Sequence, residues 1–148
     1  MENRTRYRSI VLSDIHMGTG FSKTREVCDF ISSFDCDRLI LNGDIIDGWQ
    51  LKRNGNAMWG YEQSRFFRII LKMIERQGTM VTVLRGNHDD FLDRIIPMSM
   101  GNLEIQKDVI IESGGRNFFV THGDVFDSIT SNMRWVAKLG DIAYNFLL

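Results

Sequence analysis

The sequence predicts an α/β protein built on a parallel sheet, and three observations carry that prediction. Short apolar runs at residues 9–12, 39–41 and 80–84 have the length and composition of buried strands. The segments between them carry helical periodicity, and a strand–helix–strand–helix–strand order calls for parallel pairing through right-handed crossovers. After the third run the pattern changes to two apolar stretches around a glycine turn, which reads as a β-hairpin.

Each element has its own local reason. Ser9-Ile10-Val11-Leu12 reads as the first strand. Val27, Phe30, Ile31 and Phe34 then recur at i, i+3, i+4 and i+7 behind Ser22, a candidate N-cap, so a helix follows. Leu39-Ile40-Leu41 is the second strand. Over residues 61–77, Phe66, Phe67, Ile70, Met73 and Ile74 share one helical face, and Gly78 fits a C-cap. Residues 80–84 make the third strand. Val109-Ile110-Ile111 and Asn117-Phe118-Phe119-Val120 flank Ser113-Gly114-Gly115-Arg116 as the two arms of the hairpin. From Ile129 to Leu148 a helix is expected with apolar residues nearly all round, a pattern that needs a partner surface. The chain stops inside that pattern. It reads as a single domain over residues 1–148, cut short at its C-terminal end.

Composition excludes several classes. The 148 residues allow one domain or most of one, and 43% apolar with 25% charged residues is globular, not disordered. A net charge of −1 argues against a nucleic-acid partner held by bulk charge. No run of ~18 apolar residues spans a membrane, and the N-terminus lacks an apolar signal core. Cys28 and Cys36 form no C-x-x-C pair, so a reducing cytoplasm is the expected setting.

The chemistry lies in what ends each strand. Leu12 is followed by Ser13-Asp14-Ile15-His16, Leu41 by Asn42-Gly43-Asp44-Ile45-Ile46-Asp47, Leu84 by Arg85-Gly86-Asn87-His88-Asp89, and Val120 by Thr121-His122-Gly123-Asp124. In an open α/β sheet the C-terminal strand ends face one crevice, where ligands bind. All three histidines of the chain fall inside these clusters. Asp14 and His16, two apart, would point the same way from an extended backbone. Gly43 and Gly86 suit tight turns where backbone passes close to a bound ion or phosphate. Carboxylate, imidazole and amide donors without thiolate favour Mn²⁺, Fe²⁺ or Zn²⁺ over a cysteine-type structural zinc. A lone Asp at a strand end is usually a turn residue or helix cap, and a lone His usually a satisfied polar residue; four clusters in this order are specific.

These residues resemble the calcineurin-like metallophosphoesterases. The match is D-x-H at Asp14/His16, G-D-x-x-D from Gly43 to Asp47, G-N-H-D from Gly86 to Asp89, and H-G-D from His122 to Asp124. The wordings S-D-I-H-M-G, L-N-G-D-I-I-D-G-W, R-G-N-H-D-D-F-L and T-H-G-D-V-F-D are similar to the UDP-2,3-diacylglucosamine diphosphatase branch, hydrolases of lipid A synthesis. The resemblance implies the phosphoesterase sandwich and a site for two divalent metal ions, with Mn²⁺ first and Fe²⁺ or Zn²⁺ as alternatives. Asp14 and His16 would hold one ion, Asp44 would bridge both, and Asn87 with His122 would hold the second. Hydroxide shared by the ions would attack phosphorus in line. His88 would protonate the leaving oxygen or stabilise the transition state, and Asp47 would orient His88; the alternative for both is a turn residue that only supports its loop.

The pattern departs from the family in one respect, because no G-H-x-H segment follows His122 and only five of seven expected ligands are present. An N-terminal fragment and a natural short variant both explain this, and the unfinished helix favours the fragment. Trp49, Lys52 and Arg53, on an expected loop, are candidate substrate contacts: cations for phosphate and an indole to stack or to cover an acyl chain. The implied partner is a phosphorylated small molecule or a lipid-linked nucleotide. The helix after Ile129 would then touch an inner-membrane surface or, as the simpler reading, complete the core. Set against the hydrolase is a non-catalytic scaffold of the same fold, or a phosphodiesterase or phosphatase acting on another substrate.

Overall fold

A computed structural model describes residues 4–54 and 59–126. In chain order these residues form β1 (Thr5–Leu12), α1 (Thr24–Ser32), β2 (Phe34–Asn42), α2 (Gly48–Asn54) and α3 (Tyr61–Lys72), which runs on as a π-helical turn (Met73–Gln77). Then come β3 (Met80–Leu84), a 3₁₀ turn (Asp90–Arg94), β4 (Met98–Met100), β5 (Leu103–Gln106), β6 (Asp108–Ser113) and β7 (Arg116–Thr121). Strands pair in the order β1-β2-β3-β5-β4, parallel except for β4 against β5. β6 and β7 form a separate antiparallel hairpin.

The period-two alternation of strand side chains explains the layers. Leu39, Leu41 and Val81 face α1 and α3, joining Cys28, Ile31, Phe66, Ile70 and Met73 in the main core. Ile40 and Leu84 point to the opposite face, where Ile111, Val109 and Val120 of the hairpin cover them. A strand buried on both faces must be apolar at consecutive positions, which is why the central runs do not alternate. The expected α/β architecture, a βαβαβ half followed by a hairpin, is therefore present.

Several local expectations are corrected. Phe34 begins β2 instead of ending α1, because the chain turns at Ser33 and pairs Phe34 with Thr5. Ser22 does not cap α1; Lys23 holds that position without a side-chain cap bond, and Ser22 Oγ donates to Ile15 O at 2.7 Å. The expected loop around Trp49, Lys52 and Arg53 is the helix α2 up to Asn54. β1 and β2 reach beyond their apolar runs, carried by cross-strand pairs such as Arg6 to Asp37 at 2.5 Å. Gly78 does end the helical run, in the left-handed conformation. The helix expected from Ile129 to Leu148 lies outside the described residues. Among the described residues no helix is long and apolar enough to cross a membrane.

Candidate metal centre

The loops that follow β1, β2 and β3 meet at one end of the parallel sheet, laced by backbone hydrogen bonds. His16 N–H donates to Asp44 O at 2.8 Å, Met17 N–H to Ile45 O at 2.9 Å, and Asp47 N–H to Met17 O at 2.8 Å. Gly43 N–H donates to Leu84 O and Gly48 N–H to His88 O, both at 3.1 Å. The fourth contributor, His122, arrives from β7 in the other sheet, where Asn42 Nδ2 donates to Thr121 O at 3.2 Å. The site thus sits where the two sheets meet.

Among the described non-glycine residues, Asp14, His16 and Asp44 alone have positive φ, at 56°, 49° and 53°. The left-handed region is disfavoured for residues with a Cβ, least so for Asp, Asn and His, and costs about 1–3 kcal/mol each. Asp14 and His16 are therefore not on the extended backbone that the sequence suggested. Both residues instead curl, which leaves Asp14 Oδ1 3.8 Å from His16 Nε2. The glycines also act differently from expectation. A Cβ on Gly86 would overlap the Asp44 carboxylate and amide, and one on Gly43, with φ 76°, would overlap the His122 ring. What passes close at both positions is a side chain of the site itself.

Asp44 is the centre of the cluster and only 3% exposed. Its Oδ1 accepts the His88 backbone N–H at 2.9 Å. Its Oδ2 faces His16 Nε2 at 3.7 Å and His122 Nε2 at 3.8 Å. Asp14 Oδ1 also stands 3.8 Å from His122 Nε2. Two sets of donors result, His16/Asp44/His88 and Asp14/Asp44/His122, each within 4.8 Å and sharing Asp44. The separations are too long for hydrogen bonds, yet two ligands each ~2.1 Å from one ion stand roughly 3–4 Å apart. His16 Nδ1 and His88 Nδ1 are buried without a hydrogen-bond partner. The residues present therefore fit divalent cations. Asn87 lies half-buried beside His88 in the turn after β3.

Asp47 uses its two oxygens separately. Oδ1 accepts the Gln50 N–H at 2.8 Å and so caps α2. Oδ2 lies 3.1 Å from His88 Nδ1 and 3.8 Å from His16 Nδ1. The His88 pair meets the distance of a hydrogen bond but not its angle. Trp49 lies over the His88 ring at 4.4 Å, and His16 meets its edge at 4.9 Å. Lys52 is exposed, 3.9 Å from Asp90, and Arg53 is exposed; neither lines the cavity in front of the histidines.

Three supporting residues escaped the sequence reading although they lie in the quoted motifs. Asp89, 1% exposed, accepts the N–H groups of Ile45 at 3.0 Å and Ile46 at 2.9 Å. Burial pushes its carboxyl above the usual range, opposed by those two hydrogen bonds. Asp124 lies 3.3 Å from His122 Nδ1 and 2.5 Å from Arg85 Nη1. Arg85 also reaches Asp93 at 3.3 Å. The available signal was a carboxylate two residues after His122, placed to meet that imidazole's other nitrogen, and one directly after His88, which braces the loop after Asp44.

Compared with protein families, the chain matches the model of the calcineurin-like phosphoesterase domain over residues 7–141. Comparison with curated proteins finds no match.

Proposed function

The chain belongs to the calcineurin-like phosphoesterases, metal-dependent hydrolases of phosphate esters, and from that premise we propose a dinuclear enzyme that cleaves a phosphodiester or pyrophosphate bond. The observation that carries this reading is the buried Asp44, whose Oδ2 faces His16 Nε2 at 3.7 Å and His122 Nε2 at 3.8 Å, with Asp14 Oδ1 3.8 Å from both imidazoles. Asp14, His16, Asp44, Asn87 and His122 would hold two divalent ions, Mn²⁺ before Fe²⁺ or Zn²⁺. When bound, the ions supply an activated water and neutralise phosphoryl charge.

The protein's own part is orientation and proton transfer. His88, with Nδ1 against Asp47, offers Nε2 to the leaving oxygen as a general acid. Asp47 is the carboxylate beside Nδ1 and would orient the imidazole, while its other oxygen anchors α2. Trp49 restricts His88 from the side. The wording of the motifs supports UDP-2,3-diacylglucosamine as substrate, met at a membrane surface from the cytoplasmic side. Trp49, Lys52 and Arg53 along α2, outside the lining of the cavity in front of the histidines, are the proposed contacts for a part of the substrate that extends past it.

The test is Mn²⁺-dependent hydrolysis of bis(p-nitrophenyl) phosphate, followed by UMP release from UDP-2,3-diacylglucosamine. Turnover that disappears in Asp44→Asn supports the enzyme. Turnover retained in Asp44→Asn overturns the shared-ligand reading. Absence of both turnover and a Mn²⁺-induced rise in melting temperature would favour a scaffold, since a ligand of the native state must raise stability.

A further inference from the structure

The cavity in front of the histidines continues past them. A space of about 340 Å³ is lined by Asp14, His16, Asp47 and His88 together with residues of a second wall, among them Thr19, Phe21 and Lys23. That second wall is the loop between β1 and α1 together with the first turn of α1. It is tied to the metal-ligand segment: Thr19 N–H and Thr19 Oγ1 both donate to His16 O, at 3.3 and 3.0 Å. Ser22 Oγ donates to Ile15 O at 2.7 Å. A wall bonded to residues 15 and 16 keeps its distance from the reacting centre.

Two side chains on this wall stand exposed without a polar or ring partner among the described residues. Phe21 is 93% exposed, the most exposed large apolar residue described. Lys23 is exposed, and its ammonium makes no ion pair or hydrogen bond among the described residues. Among the described residues it is the one Lys or Arg lining the cavity, which the carboxylates of Asp14 and Asp47 also line. The metal ligands serve the scissile phosphoryl group, so a cation on the β1–α1 wall is left to meet a different charge of the substrate. A bare aromatic ring beside it offers apolar contact next to that charge.

We propose that the β1–α1 loop is a second substrate subsite, in which Lys23 takes an anionic group beyond the scissile phosphorus and Phe21 lies against an apolar or planar body attached to it. The substrate class is then a phosphate ester whose non-reacting part carries a second negative charge. This rests on the phosphoesterase reading above, and it adds a ligand class and two residues to it.

The experiment uses two chromogenic esters with the same scissile bond: thymidine 5′-(p-nitrophenyl phosphate) with and without a 3′-phosphate. The Mn²⁺-loaded chain should prefer the 3′-phosphorylated ester in kcat/KM. Lys23→Ala should lower that preference by about twofold to fivefold, as fits an exposed ammonium–phosphate pair, and Lys23→Arg should retain most of it. Phe21→Ala should raise KM for both esters by about threefold to tenfold with kcat little changed. Both positions are exposed, so folding is not at stake. A parent chain without preference, or a preference intact in Lys23→Ala, overturns the subsite. If neither ester turns over, the hydrolase reading fails by itself. Calorimetric binding of thymidine 3′,5′-bisphosphate against the 5′-monophosphate then decides the subsite: discrimination lost in Lys23→Ala supports it, and discrimination absent or unchanged refutes it.

Discussion

Removing the Asp89 carboxylate should loosen the centre without touching a ligand. Its two oxygens accept the N–H groups of Ile45 and Ile46, the residues directly after Asp44, at 3.0 and 2.9 Å. With Asp89 1% exposed, no water replaces those acceptors in Asp89→Ala. Each buried donor left unpaired costs about 1–3 kcal/mol, so the pair costs ~2–6. Removal of a desolvated carboxylate, whose ionisation burial already disfavours, returns part of this. The expected loss is about 2–4 kcal/mol, a large share of the ~5–15 kcal/mol typical of a domain. Urea denaturation of the metal-free chain reads this term. Because the loop holding Asp44 loses its anchor, Mn²⁺ affinity by calorimetry should also fall, by roughly 10–100-fold. Asp89→Asn keeps one acceptor and should fall between the two. A variant within ~0.5 kcal/mol of the parent, with unchanged Mn²⁺ affinity, would show that the Asp89 bonds neither stabilise the fold nor hold the loop that carries Asp44.

Three other outcomes are expected. Asp124→Ala takes the carboxylate from His122 Nδ1 and leaves Arg85 with Asp93; Mn²⁺ affinity should drop about 10–100-fold, and Asp124→Asn, which still accepts from Nδ1–H, should recover part of it. Gly43→Ala puts a Cβ into the His122 ring at φ 76° and should destabilise by about 1–3 kcal/mol in denaturant, with the Mn²⁺-induced rise in Tm reduced or lost. Burial pushes the Cys36 thiol from 9.0 up to about 11. A folded pKa above the unfolded one means that this contribution is full below pH 9 and disappears as pH rises toward 11. The stability difference between parent and Cys36→Ala should therefore narrow over that window, and the native thiol should resist Ellman's reagent at pH 8 while the unfolded one reacts.

The sequence disclosed those parts of the fold whose cause is local. Apolar runs located β1, β2 and β3, helical spacing located α1 and α3, and the Gly78 cap and the Gly114-Gly115 turn marked their boundaries. Elements that depend on distant partners were missed. Met98–Met100 and Leu103–Gln106 are short and partly polar; Leu103–Gln106 becomes a strand by pairing with the edge of β3, and Met98–Met100 by pairing in turn with Leu103–Gln106. α2 holds seven residues, too few for periodicity to show, and exists because Asp47 caps it. The curled backbone at Asp14, His16 and Asp44 follows from the interloop hydrogen bonds, which no local pattern announces.

The site shows the same division. Residue type at each strand end marked Asp14, His16, Asp44, Asn87, His88 and His122 as candidates. Asp89 serves amides 43 and 44 positions away, and Asp124 meets Arg85 39 positions away, so their work was invisible in one dimension. Asp47 is the instructive case. Its sequence context supported both a turn residue and a partner for His88, and the two readings looked exclusive. A carboxylate has two oxygens: Oδ1 holds the Gln50 amide and Oδ2 faces His88. Substituting Asn would preserve at most one of these acceptors, so helix capping and imidazole orientation are coupled through one side chain.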